Sequence, residues 1–214
     1  MAAKIKICGV THLDHIDALN ANNVELVGFN FYKPSSRYVT QDIAAQLAGR
    51  CQPSMERVAL LVDPTDDEVD EALAAVSPHR VQLHGGETPQ RVAEIKARSH
   101  CAIIKALPVS GPEDVHGVEL YDAADWFLFD AKPHEISGET LPGGNGLAFD
   151  WKLLADYDHS KPYLLAGGLN ISNVETALKM TGATMVDIAS GVESAPGQKD
   201  RQLIDAFVAT VRGS

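Results

Sequence analysis

Two residues of opposite chemical character, Cys8 and Asp130, each close a short apolar run of the chain, Lys4 to Cys8 and Trp126 to Asp130. A thiolate and a carboxylic acid facing one another across a pocket form a base and an acid for proton transfer. Taken singly, neither residue demands that role. A cysteine is often a small buried apolar group, and an aspartate after a strand often caps a loop. Arg37, in Phe31-Tyr-Lys-Pro-Ser-Ser-Arg-Tyr-Val, offers a planar fork suited to bidentate carboxylate binding, or a solvated loop charge. His84, ending Val81-Gln-Leu-His, can donate to a ligand or satisfy a loop carbonyl.

A second constellation lies near the C-terminus, in Leu165-Ala-Gly-Gly-Leu-Asn and Ile188-Ala-Ser-Gly-Val-Glu. Small residues between a strand and a helix let backbone N–H groups approach an anion, and a helix N-terminus adds favourable partial charge. Gly167, Gly168, Ser190 and Gly191 together could hold a phosphate; either loop alone could equally be a tight turn. A third glycine cluster, Gly143-Gly-Asn-Gly-Leu, could supply amides from Gly143 and Gly144, act as a lid, or be a plain connection.

These residues need elements to position them. Short apolar runs alternate with longer amphipathic stretches along the chain, a pattern that predicts successive β-α units and a parallel sheet. The predicted strands are Lys4 to Cys8, Leu26 to Phe31, Arg57 to Val62, Arg80 to His84, Ala102 to Leu107, Trp126 to Asp130, Tyr163 to Ala166 and Met185 to Ala189. Helix starts are marked by Thr65 with Glu68, by Thr88 with Arg91, and by Asn173. The fifth unit, interrupted by Gly117, allows only a short or degenerate helix. Eight units predict a (β/α)8 TIM barrel in a single domain, 1–214, over an open doubly wound sheet. Its chemistry would gather at the C-terminal strand ends, where the candidates above fall.

Composition limits the functions available. With 45% apolar residues and 22% charged, the chain can bury a sizeable core. A formal charge of −11 without a basic run disfavours nucleic acid, yet leaves room for a small phosphorylated ligand held by local amides. Cys8, Cys51 and Cys101 are odd in number and widely spaced, which suits a reducing compartment rather than a disulfide framework or zinc site. With neither a signal peptide nor a membrane-length apolar run, the expected location is cytoplasmic.

Together the segments resemble phosphoribosylanthranilate isomerases over almost the whole chain. The resemblance rests on Lys4-Ile-Lys-Ile-Cys-Gly-Val-Thr, Val27-Gly-Phe-Asn-Phe-Tyr with Ser35-Ser-Arg-Tyr-Val, Val81-Gln-Leu-His-Gly and Phe127-Leu-Phe-Asp. It continues through Gly143-Gly-Asn-Gly with Phe149-Asp-Trp, Leu165-Ala-Gly-Gly-Leu-Asn, and Val186-Asp-Ile-Ala-Ser-Gly-Val-Glu with Pro196-Gly-Gln-Lys-Asp. It implies an Amadori rearrangement of N-(5-phosphoribosyl)anthranilate in tryptophan biosynthesis, without metal or organic cofactor, by a monomer or weak homodimer. It further implies Cys8 as base, Asp130 as acid, Arg37 on the anthranilate carboxylate, and Gly167, Gly168, Ser190 and Gly191 on the phosphate. Where that family carries Gly-Gly-Thr-Gly-Lys, this chain has Asn145 and Leu147, which leaves that loop a backbone role. Other phosphosugar barrels fit less well: a metal-dependent epimerase needs more strand-end ligands than His84, and a Schiff-base enzyme has only Lys105, inside its strand. A barrel that binds a phospholigand without turnover would need neither Cys8 nor Asp130.

Strand parity adds one expectation. If Cys8 points into the barrel, so does Lys6, while Ile5 and Ile7 face the helices. Asp187, on the neighbouring last strand, is the predicted partner of Lys6, with Gln82 joining them. Positive charge there would favour a Cys8 thiolate.

Overall fold

Local signals in the sequence become helix starts where side chains meet free backbone N–H groups. The Thr65 hydroxyl accepts from Glu68 N–H while Glu68 reaches back to Thr65 N–H, closing a capping box on α3 (Asp66–Val76). Thr88 accepts from Arg91 N–H at 3.2 Å ahead of α4 (Pro89–Ser99), which opens on proline. Asn173 departs from the expectation. Its side chain does not cap α5 (Val174–Thr181) but accepts from Asn170 N–H and donates to Gly168 O, bracing the preceding glycine turn.

The computed structural model describes residues 2–111, 117–131, 151–154, 157 and 161–213. Gly143 and Gly144, with Asn145 and Leu147, lie outside the described residues. Eight parallel strands close into a barrel in sequential order: β1 (Lys4–Cys8), β2 (Leu26–Asn30), β3 (Glu56–Leu61), β4 (Arg80–Leu83), β5 (Ala102–Val109), β6 (Trp126–Ala131), β7 (Tyr163–Leu165) and β8 (Met185–Ile188). All eight predicted strands are present, with ends displaced by one or two residues where they differ at all. The remaining described α-helices are α1 (Leu13–Ala21), α2 (Gln41–Arg50) and α6 (Arg201–Gly213), and the described part of the fifth connection holds the 3-10 turn Gly117–Leu120. None of the described helices is long and apolar enough to cross a membrane.

Side-chain alternation divides the apolar residues into two layers. Leu26, Val58, Ile104, Ala106, Leu128, Leu164, Ala166 and Met185 fill the barrel interior. Ile5, Ile7, Val27, Phe29, Val81, Ile103 and Phe127 pack outward among the helices. Lys105 also points outward, where its ammonium donates to Glu87 at 2.7 Å and to Gly85 O at 2.7 Å. Glu87 in turn accepts from Asp63 N–H and Gly85 N–H, so this buried pair shapes the loop that follows β4.

His15 on α1 is wedged between the N–H groups of Thr11 and Lys199, at 3.3 Å and 3.2 Å from its two ring nitrogens. Burial lowers it from 6.5 to about 4. An imidazolium has no acceptor for either N–H, and the unfolded chain protonates at the ordinary value. Stability from this site is therefore complete above pH 6.5 and lost as pH falls toward 4, on the order of 2 kcal/mol. Denaturant unfolding at pH 7 and pH 4.5 should show the loss, and His15→Asn should remove most of that difference.

Candidate active site

The C-terminal ends of β1, β4 and β6 bring Cys8, His84 and Asp130 to one cavity of about 470 Å³, lined also by Asn30, Tyr32, Arg37 and Gln82. Cys8 and Asp130 are buried there. An adjoining cavity of about 310 Å³ is lined by Gly167, Gly168, Leu169 and Ser190, and it shares Asp130, Asp187 and Ala189 with the first. Two compartments thus meet over two carboxylates, Asp130 and Asp187, of which Asp187 is paired with Lys6.

Beneath them lies the predicted ion pair. Parallel pairing of β1 with β8 sets Lys6 opposite Asp187, and Lys6 Nζ donates to Asp187 Oδ1 at 2.6 Å with its side chain fully buried. Gln82 does not join them. It lies two residues before His84, on the same inward face, and its Nε2 sits 2.8 Å from His84 Nδ1. The other ring nitrogen, Nε2, lies 3.4 Å from Asp130 Oδ2, so the imidazole bridges Gln82 and Asp130. Gln82 Oε1 is buried without a partner among the described residues.

The thiol differs from the sequence expectation. Burial pushes Cys8 above its ordinary value; Lys6 and Lys199 pull it down but do not overcome that cost. Asp187 neutralises much of the lysine charge and itself disfavours a neighbouring thiolate.

Arg37 also departs from the simplest expectation, a free fork awaiting a carboxylate. Its Nε and Nη2 each donate to Glu193, both at 2.8 Å. Glu193 belongs to a two-stranded hairpin after β8, β9 (Glu193–Ala195) and β10 (Gln198–Lys199). Lys199 Nζ donates to the same carboxylate at 2.6 Å and to Ala189 O at 3.0 Å. Burial raises the Glu193 carboxyl, but Arg37 and Lys199 outweigh burial and hold it below the usual range. Glu193 and Lys199 carry no role by residue type and spacing alone. Their pairing depends on hairpin geometry, although two buried charges beside glycine-rich turns were the available signal.

The two glycine turns are interlocked rather than independent. A Cβ on Gly191 would overlap Leu169 O, so the turn after β8 packs directly on the turn after β7. Helix α5 starts only at Val174, and Ser190 begins a short 3-10 turn, Ser190–Val192, so neither glycine turn leads directly into the α-helix N-terminus expected from sequence. Gly191→Ala should cost about 1–3 kcal/mol by overpacking and weaken inorganic phosphate binding at least tenfold. Chemical denaturation and calorimetric titration check the two effects separately. Among the described residues, no three His, Cys, Asp or Glu side chains are grouped to hold a metal ion.

Known proteins share this sequence and architecture. The family described as N-(5'-phosphoribosyl)anthranilate isomerase matches residues 5–210. The N-(5'-phosphoribosyl)anthranilate isomerase of Paracoccus denitrificans is 47% identical over 210 residues, covering 98% of this chain and 97% of the relative. The crystal structure of phosphoribosyl anthranilate isomerase from Thermotoga maritima superposes with a TM-score of 0.88 at 32% identity, covering 99% of this chain and 100% of that one. A phosphoribosyl anthranilate isomerase solved in complex with reduced 1-(o-carboxyphenylamino)-1-deoxyribulose 5-phosphate gives a TM-score of 0.86 at 30% identity, with coverage of 99% and 100%. Sequence along nearly the whole chain and the superposition of the closed eight-stranded barrel agree: the chain belongs to the N-(5'-phosphoribosyl)anthranilate isomerase family.

Proposed function

We propose that Cys8 and Asp130 are the base and acid of an Amadori rearrangement that converts N-(5-phosphoribosyl)anthranilate to 1-(2-carboxyphenylamino)-1-deoxyribulose 5-phosphate. This is an isomerisation of tryptophan biosynthesis. The observation that carries the assignment is the meeting of Cys8, His84, Arg37 and Asp130 on one cavity that adjoins the Gly167, Gly168 and Ser190 turns. Asp130 gives a proton to the furanose ring oxygen as the C1–O bond breaks and the nitrogen lone pair forms a C1=N iminium. Cys8, which first gives its own proton to solvent to become the thiolate, then takes the proton from C2; the C–H electrons form C1=C2 as the C=N π electrons return to nitrogen, and the enolamine tautomerises to the ketone. Proton exchange with solvent restores both groups.

This order explains how a buried thiol can serve. The iminium places positive charge one carbon from the proton to be removed, and that charge favours the thiolate only after the ring has opened. Arg37 receives the anthranilate carboxylate. Gly167, Gly168, Ser190 and Gly191 receive the phosphate, the turns where barrels of this kind commonly bind it. His84 orients the ligand beside Asp130. The sequence resemblance alone adds Gly143 and Gly144, through backbone amides. No metal or organic cofactor enters the scheme. The same reading takes residues 1–214 as one barrel domain, a monomer or weak homodimer in the cytoplasm. Three free cysteines are consistent with that compartment.

The pH dependence tests the reading. Because burial raises the Cys8 thiol in the empty site and kcat/KM reports free-enzyme ionisations, kcat/KM on freshly made phosphoribosylanthranilate should keep rising beyond pH 9. A plateau reached by pH 8 would show that Cys8 is not the base whose ionisation governs the step, and absence of turnover would overturn the function itself.

A further inference from the structure

Arg37 is the candidate for the substrate carboxylate, yet one full edge of its guanidinium is already taken. Nε and the nearer N–H of Nη2 grip Glu193 side-on, both at 2.8 Å. The opposite end, Nη1 with the second N–H of Nη2, has no hydrogen-bond partner among the described residues, and Arg37 lines the larger cavity. A guanidinium can hold two carboxylates at once, one side-on and one end-on, because its five N–H groups are fixed in a plane.

Glu193 is itself held in place. Its side chain is buried, and its Oε1 accepts from both Arg37 and Lys199, whose side chain is fully buried. Lys199 also donates to Ala189 O, a residue that lines both cavities. The hairpin turn fits against the arginine's own loop: Gly197, at a φ of 80°, has no room for a Cβ, which would lie 2.5 Å from Ser36 O. Thr11 ties the same turn to the loop after β1 by donating to Gly197 O at 2.7 Å.

We propose that Glu193, anchored by Lys199, is a positioning residue that occupies the side-on edge of Arg37 and so aims its end-on edge into the cavity to grip the substrate's aromatic carboxylate. This rests on the proposed function, in which the substrate carries such a carboxylate. The chain of contacts Arg37, Glu193, Lys199, Ala189 runs from the carboxylate grip to the backbone of the phosphate turn. It therefore sets the separation between the two anionic ends of an acceptable ligand. Arg37 and Lys199 share the one Glu193 carboxylate, so the cluster keeps a net positive charge that attracts the substrate carboxylate while its fixed geometry selects an ortho-carboxyl arylamine.

The test compares two ligands on each protein by calorimetric titration: reduced 1-(2-carboxyphenylamino)-1-deoxyribulose 5-phosphate and the same compound without the carboxyl group. Wild type should prefer the carboxylated ligand. Glu193→Gln keeps the side-chain shape but loses the anion that binds the fork, and should reduce the preference at least tenfold while affinity for the decarboxylated ligand stays within twofold. Gly197→Ala changes no charge but displaces the loop that carries Arg37, and should reduce the same preference. A preference kept or increased in both variants overturns the proposal, as does an equal fall for both ligands, which marks a merely structural role. A wild type that shows no carboxylate preference contradicts the proposed function instead, so the two failures are distinguishable.

Discussion

Asp187→Ala is expected to destabilise the protein by about 3–5 kcal/mol, because it strands a fully buried ammonium. Lys6 Nζ lies 2.6 Å from Asp187 Oδ1, in a barrel interior whose apolar members are leucine, isoleucine, valine, alanine and methionine. Burial works against the Lys6 charge, but Asp187 and Cys8 outweigh it and hold the ammonium above its ordinary value. Without Asp187 the desolvation cost remains and most of the compensation goes. The pair need not contribute net stability for this to hold, since a buried ion pair often does no better than an apolar replacement of similar volume. Lys6→Met combined with Asp187→Leu should therefore recover most of the loss. Urea unfolding of the wild type, the single variants and the double variant measures this directly. A cost below about 1 kcal/mol for Asp187→Ala would mean that Lys6 finds water or another acceptor.

That pair also shows what parity in a strand can and cannot reveal. Alternation along Lys4-Ile-Lys-Ile-Cys placed Lys6 and Cys8 inward, and barrel closure placed β8 beside β1, so Lys6 and Asp187 were readable as partners. Gln82 was read as a third member because it too faces inward. Parity fixes the face of a residue but not the reach of its side chain, and the nearest polar atom was His84, two residues along the same strand. The eight strands were legible because each is a short apolar run bounded by turn residues, and the degenerate fifth helix was legible from Gly117.

Less was readable where structure depends on contacts between loops. Asn173 carried an N-cap signature, but Gly168 O and Asn170 N–H compete for its side chain and win. The fork of Arg37 suits a carboxylate, and the carboxylate it meets in the structure is the internal one of Glu193. Glu193 is 156 residues away and reaches Arg37 only because a short hairpin folds back over the barrel mouth. The raised Cys8 thiol was hidden for a related reason: sequence showed a nearby lysine but not the depth of burial that outweighs it.

The proposed base and acid, Cys8 and Asp130, carry the other large effect. General acid and general base groups each contribute about 10²–10⁴-fold to rate, so Cys8→Ser and Asp130→Asn should each lower kcat by that factor. Both substitutions are close to isosteric; Cys8 is not among the residues that line the cavity of the glycine turns, and Asp130→Asn keeps the shape of the side chain that does. Affinity for the reduced product analogue should therefore change far less than kcat. Ring opening precedes proton removal from C2, so Asp130→Asn should accumulate unopened substrate, whereas Cys8→Ser should still open the ring and exchange little hydrogen at C2.

The most direct measurement is single-turnover conversion of freshly made phosphoribosylanthranilate by the wild type, Cys8→Ser and Asp130→Asn, followed by chromatography of the product. Rapid conversion by the wild type with a loss of about 10²-fold or more in each variant is the expected result. Full activity in both variants, or no conversion by the wild type, would contradict the assignment of Cys8 and Asp130 as base and acid.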